Sequence, residues 1–339
     1  MGTITTQQRA SSDDLDRRVL AYHEPVWQPA TRYYYQLAWQ HFENFCASRD
    51  AWKATPRDVA RWCVSMADGG LSFSTITCRM SALRFYFEQL GKGHLHGHTG
   101  VATRKSPSTS DLVRRTILGI RRRNGAIGPC AEPLMLDSVE KMIDVQPDNL
   151  FGLRNRALLS LAWASARRAN EVVALNVEAN KGNAWIEWDS EGLVVVLRKS
   201  KTNQSFERVE RYGVPARRSA PRYCPVVLLR KWLAESGIRE GHIFRGMHWR
   251  SRKLNDSGIH IHTMLMVVKK AAADIGLNTD LISTHSLRVG CITWLYLEGV
   301  HPERIREHSG HQDLESLLKY IRLRRTAANS PLAETRWVR

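Results

Sequence analysis

Five short segments in the C-terminal half of the chain carry side chains that bind anions, shuttle protons or attack as nucleophiles. In Ala166-Arg167-Arg168-Ala169-Asn170-Glu171, Arg168 and Glu171 sit three residues apart, so on a helix they share a face and the carboxylate holds the guanidinium. Arg198-Lys199-Ser200-Lys201-Thr202 closes a strand-like run, where a turn projects Lys201 toward a ligand. Thr284-His285-Ser286-Leu287-Arg288 puts His285 and Arg288 on one face of a first helical turn, with Ser283 or Thr284 as cap. Ser309-Gly310-His311 follows, then Lys319-Tyr320-Ile321-Arg322, with Tyr320 nine residues after His311. Each has a plain structural alternative: a capping histidine, a surface ion pair, one more helical aromatic. Only their joint order favours chemistry.

The residue types suit attack on a phosphodiester. Its negative charge grows on the non-bridging oxygens at the transition state, which fixed donors such as Arg168, Arg288 and His311, taken as cationic, stabilise selectively. A phenol ordinarily titrates near pH 10, so a tyrosine nucleophile needs positive surroundings and a proton acceptor. The chain has no phosphate-cradling glycine-lysine loop and no dense acidic cluster for two metals. Neither ATP nor metal is expected.

The ordered set Arg168, Lys201, His285-x-x-Arg288, Gly310-His311 and Tyr320 resembles the tyrosine recombinases of the phage integrase family, most of all the Cre-like simple recombinases. The segments KYIR around Tyr320 and HSLRVG around Arg288 extend the likeness, as does a helical N-terminal half ahead of a linker. The resemblance implies that Tyr320 attacks the scissile phosphate to form a 3′-phosphotyrosine. His285 would assist deprotonation, Lys201 would protonate the departing 5′-oxygen, and Glu171 would buttress the arginines. It further implies conservative recombination through a Holliday junction, by a homotetramer on two double-stranded DNA sites with inverted repeats. Ala166-Arg167 stands where Gly-Leu is usual in the family, Asn170 where Ser is common, and Ser309 where Leu usually precedes Gly-His. None of these removes a reacting group, so local packing is what they put in question. A type IB topoisomerase or hairpin telomere resolvase would use similar residues, and a non-catalytic DNA-binding protein could keep the fold. The Cre-like N-terminal half argues against the first two, and tolerance of losing Tyr320 would mark the third.

These groups need a scaffold. The chain has 339 residues, enough for about two domains that bury their own cores. Helical spacing over Pro29–Cys46, a Thr55-Pro56 start running to Gly69, a third run from Ser72 or Ser74 to Gly91, and a fourth after Ser110 predict a helical bundle. Glycines and prolines over Gly125–Pro133 mark a linker. Beyond it, helices are expected near 137–145, 151–166, 169–175, 222–236, 260–275, 286–298, 302–308 and 313–322, around strands 184–188 and 192–200. The fold class is therefore mainly α with a small antiparallel β-sheet. The expected parts are a flexible tail (1–20), a helical core-DNA-binding domain (21–125), a linker (126–134) and a mixed α/β catalytic domain (135–322). By the resemblance, segment 323–339 docks on a neighbouring protomer and the two domains form a C-shaped clamp on DNA.

Lys and Arg number 50 against 33 Asp and Glu, a net charge of +17 on a chain that is 43% hydrophobic, so a folded protein with an anionic partner is expected. The basic runs lack interleaved acid: Arg114, Arg115, Arg121, Arg122 and Arg123 in one helix, and Arg245 to Lys253 in a loop with Arg250 and Arg252. With His260 and His262 just beyond, these are candidate DNA contacts. Arg32, Tyr33, Tyr34 and Arg79 are candidates for the groove, although tyrosines so spaced are as readily core. Tyr296, a rival nucleophile amid Trp294, Leu295 and Leu297, is assigned to the core. The six cysteines are scattered without metal-ligand spacing, and His94, His96 and His98 read as a loop. No apolar run spans a bilayer and nothing suggests export, so a cytoplasmic protein is expected, and the resemblance implies a bacterial, phage or plasmid origin.

Overall fold

The computed structural model describes residues 29–47, 49–90, 106–125, 131–198, 209–248, 250–251 and 253–321. The expectations for the N-terminal tail, His94, His96, His98, Cys130, Lys201, Arg252 and segment 323–339 fall outside the described residues. The chain divides into two compact units between Gly128 and Pro129.

In the first unit, the helices begin where a side chain can satisfy a free backbone N–H. Thr55, Ser72 and Ser110 each accept from the third residue of α2 (Pro56–Asp68), α3 (Phe73–Phe85) and α4 (Asp111–Asn124). Thr55 and Asp58 complete a reciprocal capping box, which with Arg49 holds the Asp58 carboxyl down at about 2. Together with α1 (Pro29–Cys46), these helices bury Phe42, Val59, Trp62, Ile76, Leu83 and Val113. At its end α3 widens into a π turn, Tyr86–Leu90, whose Tyr86 ring stacks on Trp39 with centroids 4.5 Å apart.

The second unit is built round α6 (Leu150–Ala164), apolar on nearly every side and packed against α5 (Leu136–Asp144), α8 (Pro225–Ser236) and α10 (Thr284–Leu297). After α6 come α7 (Ala169–Val173) and a four-stranded sheet in the order β1 (Leu175–Asn176), β2 (Ala184–Trp188), β3 (Gly192–Leu197), β4 (Glu210–Pro215). The expected antiparallel pairing holds for β2–β3 (Trp185 opposite Val196) and β3–β4 (Val195 opposite Tyr212). The short β1 pairs parallel to β2, so the sheet is mixed. The basic stretch 245–253, expected to be a loop, instead enters a hairpin of β5 (Arg245–Met247) and β6 (Leu254–Gly258). Then come α9 (Ile261–Asp274), α10, α11 (Pro302–Ser309) and α12 (Leu314–Leu318).

Residues 132–134, assigned to the linker from sequence, are fastened to the second unit. Glu132 N donates to Leu281 O and Leu134 N to Ser286 O, each at 3.0 Å, and the Leu134 side chain is buried. Gly290 makes this close approach possible, since a Cβ there would stand 1.8 Å from the Leu134 carbonyl oxygen. The strip thereby fixes α10, which carries His285 and Arg288. Cys46, Cys63, Cys224 and Cys291 are buried and Cys78 is exposed. No helix among the described residues is long and apolar enough to cross a membrane.

Candidate active site

At the end of α6 the chain turns sharply, with Ala166 in the left-handed region at φ 49°. A residue with a Cβ is strained there by roughly 1–2 kcal/mol, which explains why glycine suits the position. The turn delivers Arg168 to the start of α7. Glu171, 6% exposed, accepts from Arg168 N at 3.0 Å and from its Nη1 at 2.9 Å, so one carboxylate fixes both backbone and guanidinium.

The capped first turn of α10 presents His285 and Arg288 as the spacing requires, Ser283 Oγ accepting from His285 N at 3.2 Å. Arg288 is 1% exposed. Its Nη1 donates to Ala166 O at 2.6 Å, its Nη2 lies 3.1 Å from His311 Nε2, and its Nε is buried without a partner among the described residues. Burial, then the neighbouring Arg167 and Arg168, pull its guanidinium down to about 9, which leaves it charged at neutral pH.

Gly310 caps α11 in the left-handed conformation and turns His311 inward. Ser309 Oγ donates to Ile305 O at 2.6 Å, which uses its only proton, so it accepts from His311 Nδ1–H at 2.7 Å. That fixes the tautomer and leaves Nε2 as the acceptor facing Arg288. Burial above all, then Arg288, Arg168 and Arg167, depress the His311 imidazole to about 3. His311 is therefore a neutral ring at neutral pH, not the cationic donor expected from sequence: the positive charge belongs to the arginines, and their field excludes a further cation.

The helix expected over 313–322 ends at Leu318. Tyr320 N donates to Leu317 O at 2.8 Å in a tight turn, and Thr293 Oγ1 donates to Tyr320 O at 3.3 Å. This early end swings the Tyr320 ring to 4.6 Å from the His311 ring and 5.0 Å from that of His285, with Arg288 Cζ 5.8 Å from its centroid. Arg168, Glu171, His285, Arg288, His311 and Tyr320 thus converge in one place, and Lys201 lies outside the described residues. Tyr296, expected in the core, is 36% exposed near the end of α10, where the chain turns at Gly299. Sequence alone missed Arg167, Ser309 and Tyr212. The first two were visible only as departures from the family pattern.

Among the candidate DNA contacts, Arg32, Arg121, Arg122, Arg123, Arg250, Lys253, His260 and His262 are exposed. Tyr33, at 64%, and Tyr34 are exposed rather than core. Arg79 is half-buried, with Nη1 enclosed and unpartnered among the described residues. Arg245 folds back onto its own chain, donating to His242 O at 3.1 Å and to Glu240 O, and so serves the hairpin. The described residues hold no cluster of three or more His, Cys, Asp or Glu able to bind a metal ion.

The buried imidazole has a consequence for stability. An unfolded histidine titrates near 6.5 and His311 at about 3, so between these values the unfolded chain binds the extra proton. The contribution is intact above pH 6.5 and is lost as pH falls toward 3, a change on the order of a few kcal/mol. Urea titrations at pH 7.5 and 5 should show wild type losing more stability than His311→Asn. Equal losses would place the sensitivity elsewhere.

A tyrosine flanked by imidazoles and fixed guanidiniums, carried by the helix starts and turns of the second unit, is an arrangement suited to covalent phosphodiester transfer. Residues 133–326 match the model of the Phage integrase family, and the chain belongs to that family, the tyrosine recombinases, enzymes that cut and rejoin DNA in site-specific recombination. The chain is 25% identical to an integrase/recombinase XerD homolog of Selenomonas ruminantium over 290 residues, 85% of this chain and 80% of that protein. In fold it is similar to a XerH site-specific recombinase solved on a palindromic difH substrate after cleavage, with a TM-score of 0.62 and 17% identity over 85% of this chain and 74% of that one. A lambda integrase dimer bound to a COC′ core site gives a TM-score of 0.59 and 14% identity, covering 91% of this chain and 94% of that one.

Proposed function

We propose that this chain is a simple, Cre-like site-specific recombinase that acts on duplex DNA and uses Tyr320 as its nucleophile. The Tyr320 oxygen attacks the scissile phosphorus, the 5′-oxygen departs with a proton from Lys201, and a 3′-phosphotyrosine holds the broken strand. The free 5′-hydroxyl of a partner strand reverses the step, first forming and then resolving a Holliday junction. Because the phosphotyrosine conserves the bond, neither ATP nor metal is required.

The observation that carries this reading is the packing of the Tyr320 ring against both His285 and His311 beside Arg288. In this reading His285, whose ring packs 5.0 Å from that of Tyr320, takes the phenolic proton. Arg168, braced by Glu171, and Arg288, whose Nε has no partner among the described residues, bind the phosphate oxygens, while neutral His311 supports Arg288. Arg32, Tyr33, Tyr34, Arg121, Arg122 and Arg123 on one unit, and Arg250, Lys253, His260 and His262 on the other, supply exposed donors for the duplex. Four protomers on two sites with inverted repeats flanking a spacer complete the assembly, with segment 323–339 docking on the neighbour. The enzyme works in the cytoplasm, on bacterial, phage or plasmid DNA.

The test is a denaturing gel for a covalent protein–DNA adduct on a nicked duplex carrying candidate inverted repeats, in EDTA and without ATP. A 3′-linked adduct is expected. Tight, salt-sensitive binding to a verified site with no adduct would overturn the reading in favour of a binding protein.

A further inference from the structure

Arg167 is a cation placed where a charged group is costly. It is 3% exposed, beside Arg168 in sequence and close to Arg288 in space, and burial lowers its affinity for its proton. Such a group is retained only if its donors are used, and here they are. Nε donates to Ser165 O at 2.9 Å, Nη2 donates to His308 O, and Cζ stands 3.5 Å from the centroid of the Tyr212 ring. Tyr212 is tethered in turn, its hydroxyl donating to Glu210 Oε2 at 3.1 Å. Gly310 leaves the room: a Cβ there would lie 2.9 Å from Arg167 Nη1 and 2.6 Å from the Tyr212 hydroxyl. The guanidinium therefore bridges two turns that are far apart in sequence, the Ser165–Arg168 turn and the end of α11 that leads into His311.

We infer that Arg167 is a positioning residue for the cleavage step: its guanidinium, laid on the Tyr212 ring, ties the turn bearing Arg168 to the turn bearing His311 and keeps one spacing across the phosphate site. The inference rests on the function proposed above. Arg167 spends its bonds on Ser165 O and His308 O and so acts through the two turns. Its charge also faces His311. The other groups around that imidazole are Arg288 and His285 from α10, Arg168 at the N-cap of α7, itself paired with Glu171, and Tyr320. On His311's own stretch lie Asp313 and Arg306, whose Nη1 is 3.5 Å from the His311 carbonyl. Removing Arg167 thus takes one cation from a ring of three arginines.

The experiment compares full-length wild type, Arg167→Leu and Arg167→Lys in single-turnover adduct formation across pH, with site affinity measured in parallel. His311 is also titrated by nitrogen-resolved NMR without DNA. Arg167→Leu should bind the site as wild type does yet cleave about a hundredfold more slowly, the loss that follows a misplacement of about 1 Å. Its His311 midpoint and the acid limb of its rate should both move up in pH. Arg167→Lys should leave the His311 midpoint in place and recover part of the rate, since it restores the charge but not the fork. Unchanged cleavage by Arg167→Leu overturns the inference. So do equal rate losses in both variants with no movement of His311, which would make Arg167 packing alone. If wild type itself forms no adduct, the proposed function fails, and the NMR titration still decides whether Arg167 acts on His311.

Discussion

Tyr320→Phe should abolish the covalent adduct while leaving site binding and thermal stability where they were. The contacts of Tyr320 with His285, His311 and Arg288 run through its ring, and its other bonds are made by the backbone, so phenylalanine keeps the packing and loses only the attacking oxygen. Removing the nucleophile of a covalent enzyme costs on the order of 10⁴-fold or more in rate. Tyr296, on the same helix as His285 but exposed near its far end, is the control: Tyr296→Phe should cleave at the wild-type rate. The measurement is adduct yield on a nicked substrate beside a binding titration on the intact one. Adduct persisting in Tyr320→Phe would move the nucleophile elsewhere and undo the assignment.

The parts of this site that were legible in the sequence are those set by helical repeat. Arg168 and Glu171 meet at a helix start, where Glu171, the third residue of α7, reaches back to the N-cap Arg168, and His285 and Arg288 share the first turn of α10 because three residues along a helix return to the same face. The helices of the first unit were legible through their caps, with Thr55, Ser72 and Ser110 marking three starts. What was not legible depends on tertiary packing. The end of α12 at Leu318, which turns Tyr320 toward His311, follows from the seat of Tyr320 and Ile321 against Ile292, Ile305 and Leu317. Arg167 looked like half of an exposed basic pair because arginine is rarely buried, and only the fold supplies the two carbonyls and the ring that make burial tolerable. Strand β4, with a glycine and adjacent opposite charges, and the hairpin of β5 and β6, without β-branched residues, give little local strand signal.

Arg288→Lys separates the two tasks of the most deeply buried charge in the site. One is structural: Nη1 fastens the strained Ala166 turn, and Nη2 holds the Nε2 side of His311. The other, under the proposed function, is electrostatic: the stabilisation of charge growing on the phosphate, which needs a donor aimed before the reaction starts. Lysine keeps a positive charge but offers one nitrogen in place of three, so it cannot serve the carbonyl, the imidazole and a phosphate oxygen together. Cleavage should fall about 10²- to 10³-fold, and stability by roughly 1–3 kcal/mol for the partner left unsatisfied, measured by single-turnover adduct formation and urea unfolding. Arg288→Met should be no more damaging to the fold, because it removes the burial cost along with the bonds, yet more damaging to cleavage, because the charge is gone as well. With Arg288 lost as a cation, His311 should also regain protons at higher pH, and the acid limb of the residual activity should rise. If Arg288→Lys and Arg288→Met cleaved alike, the charge would contribute nothing beyond holding the turn, and stabilisation of the phosphate would rest on Arg168.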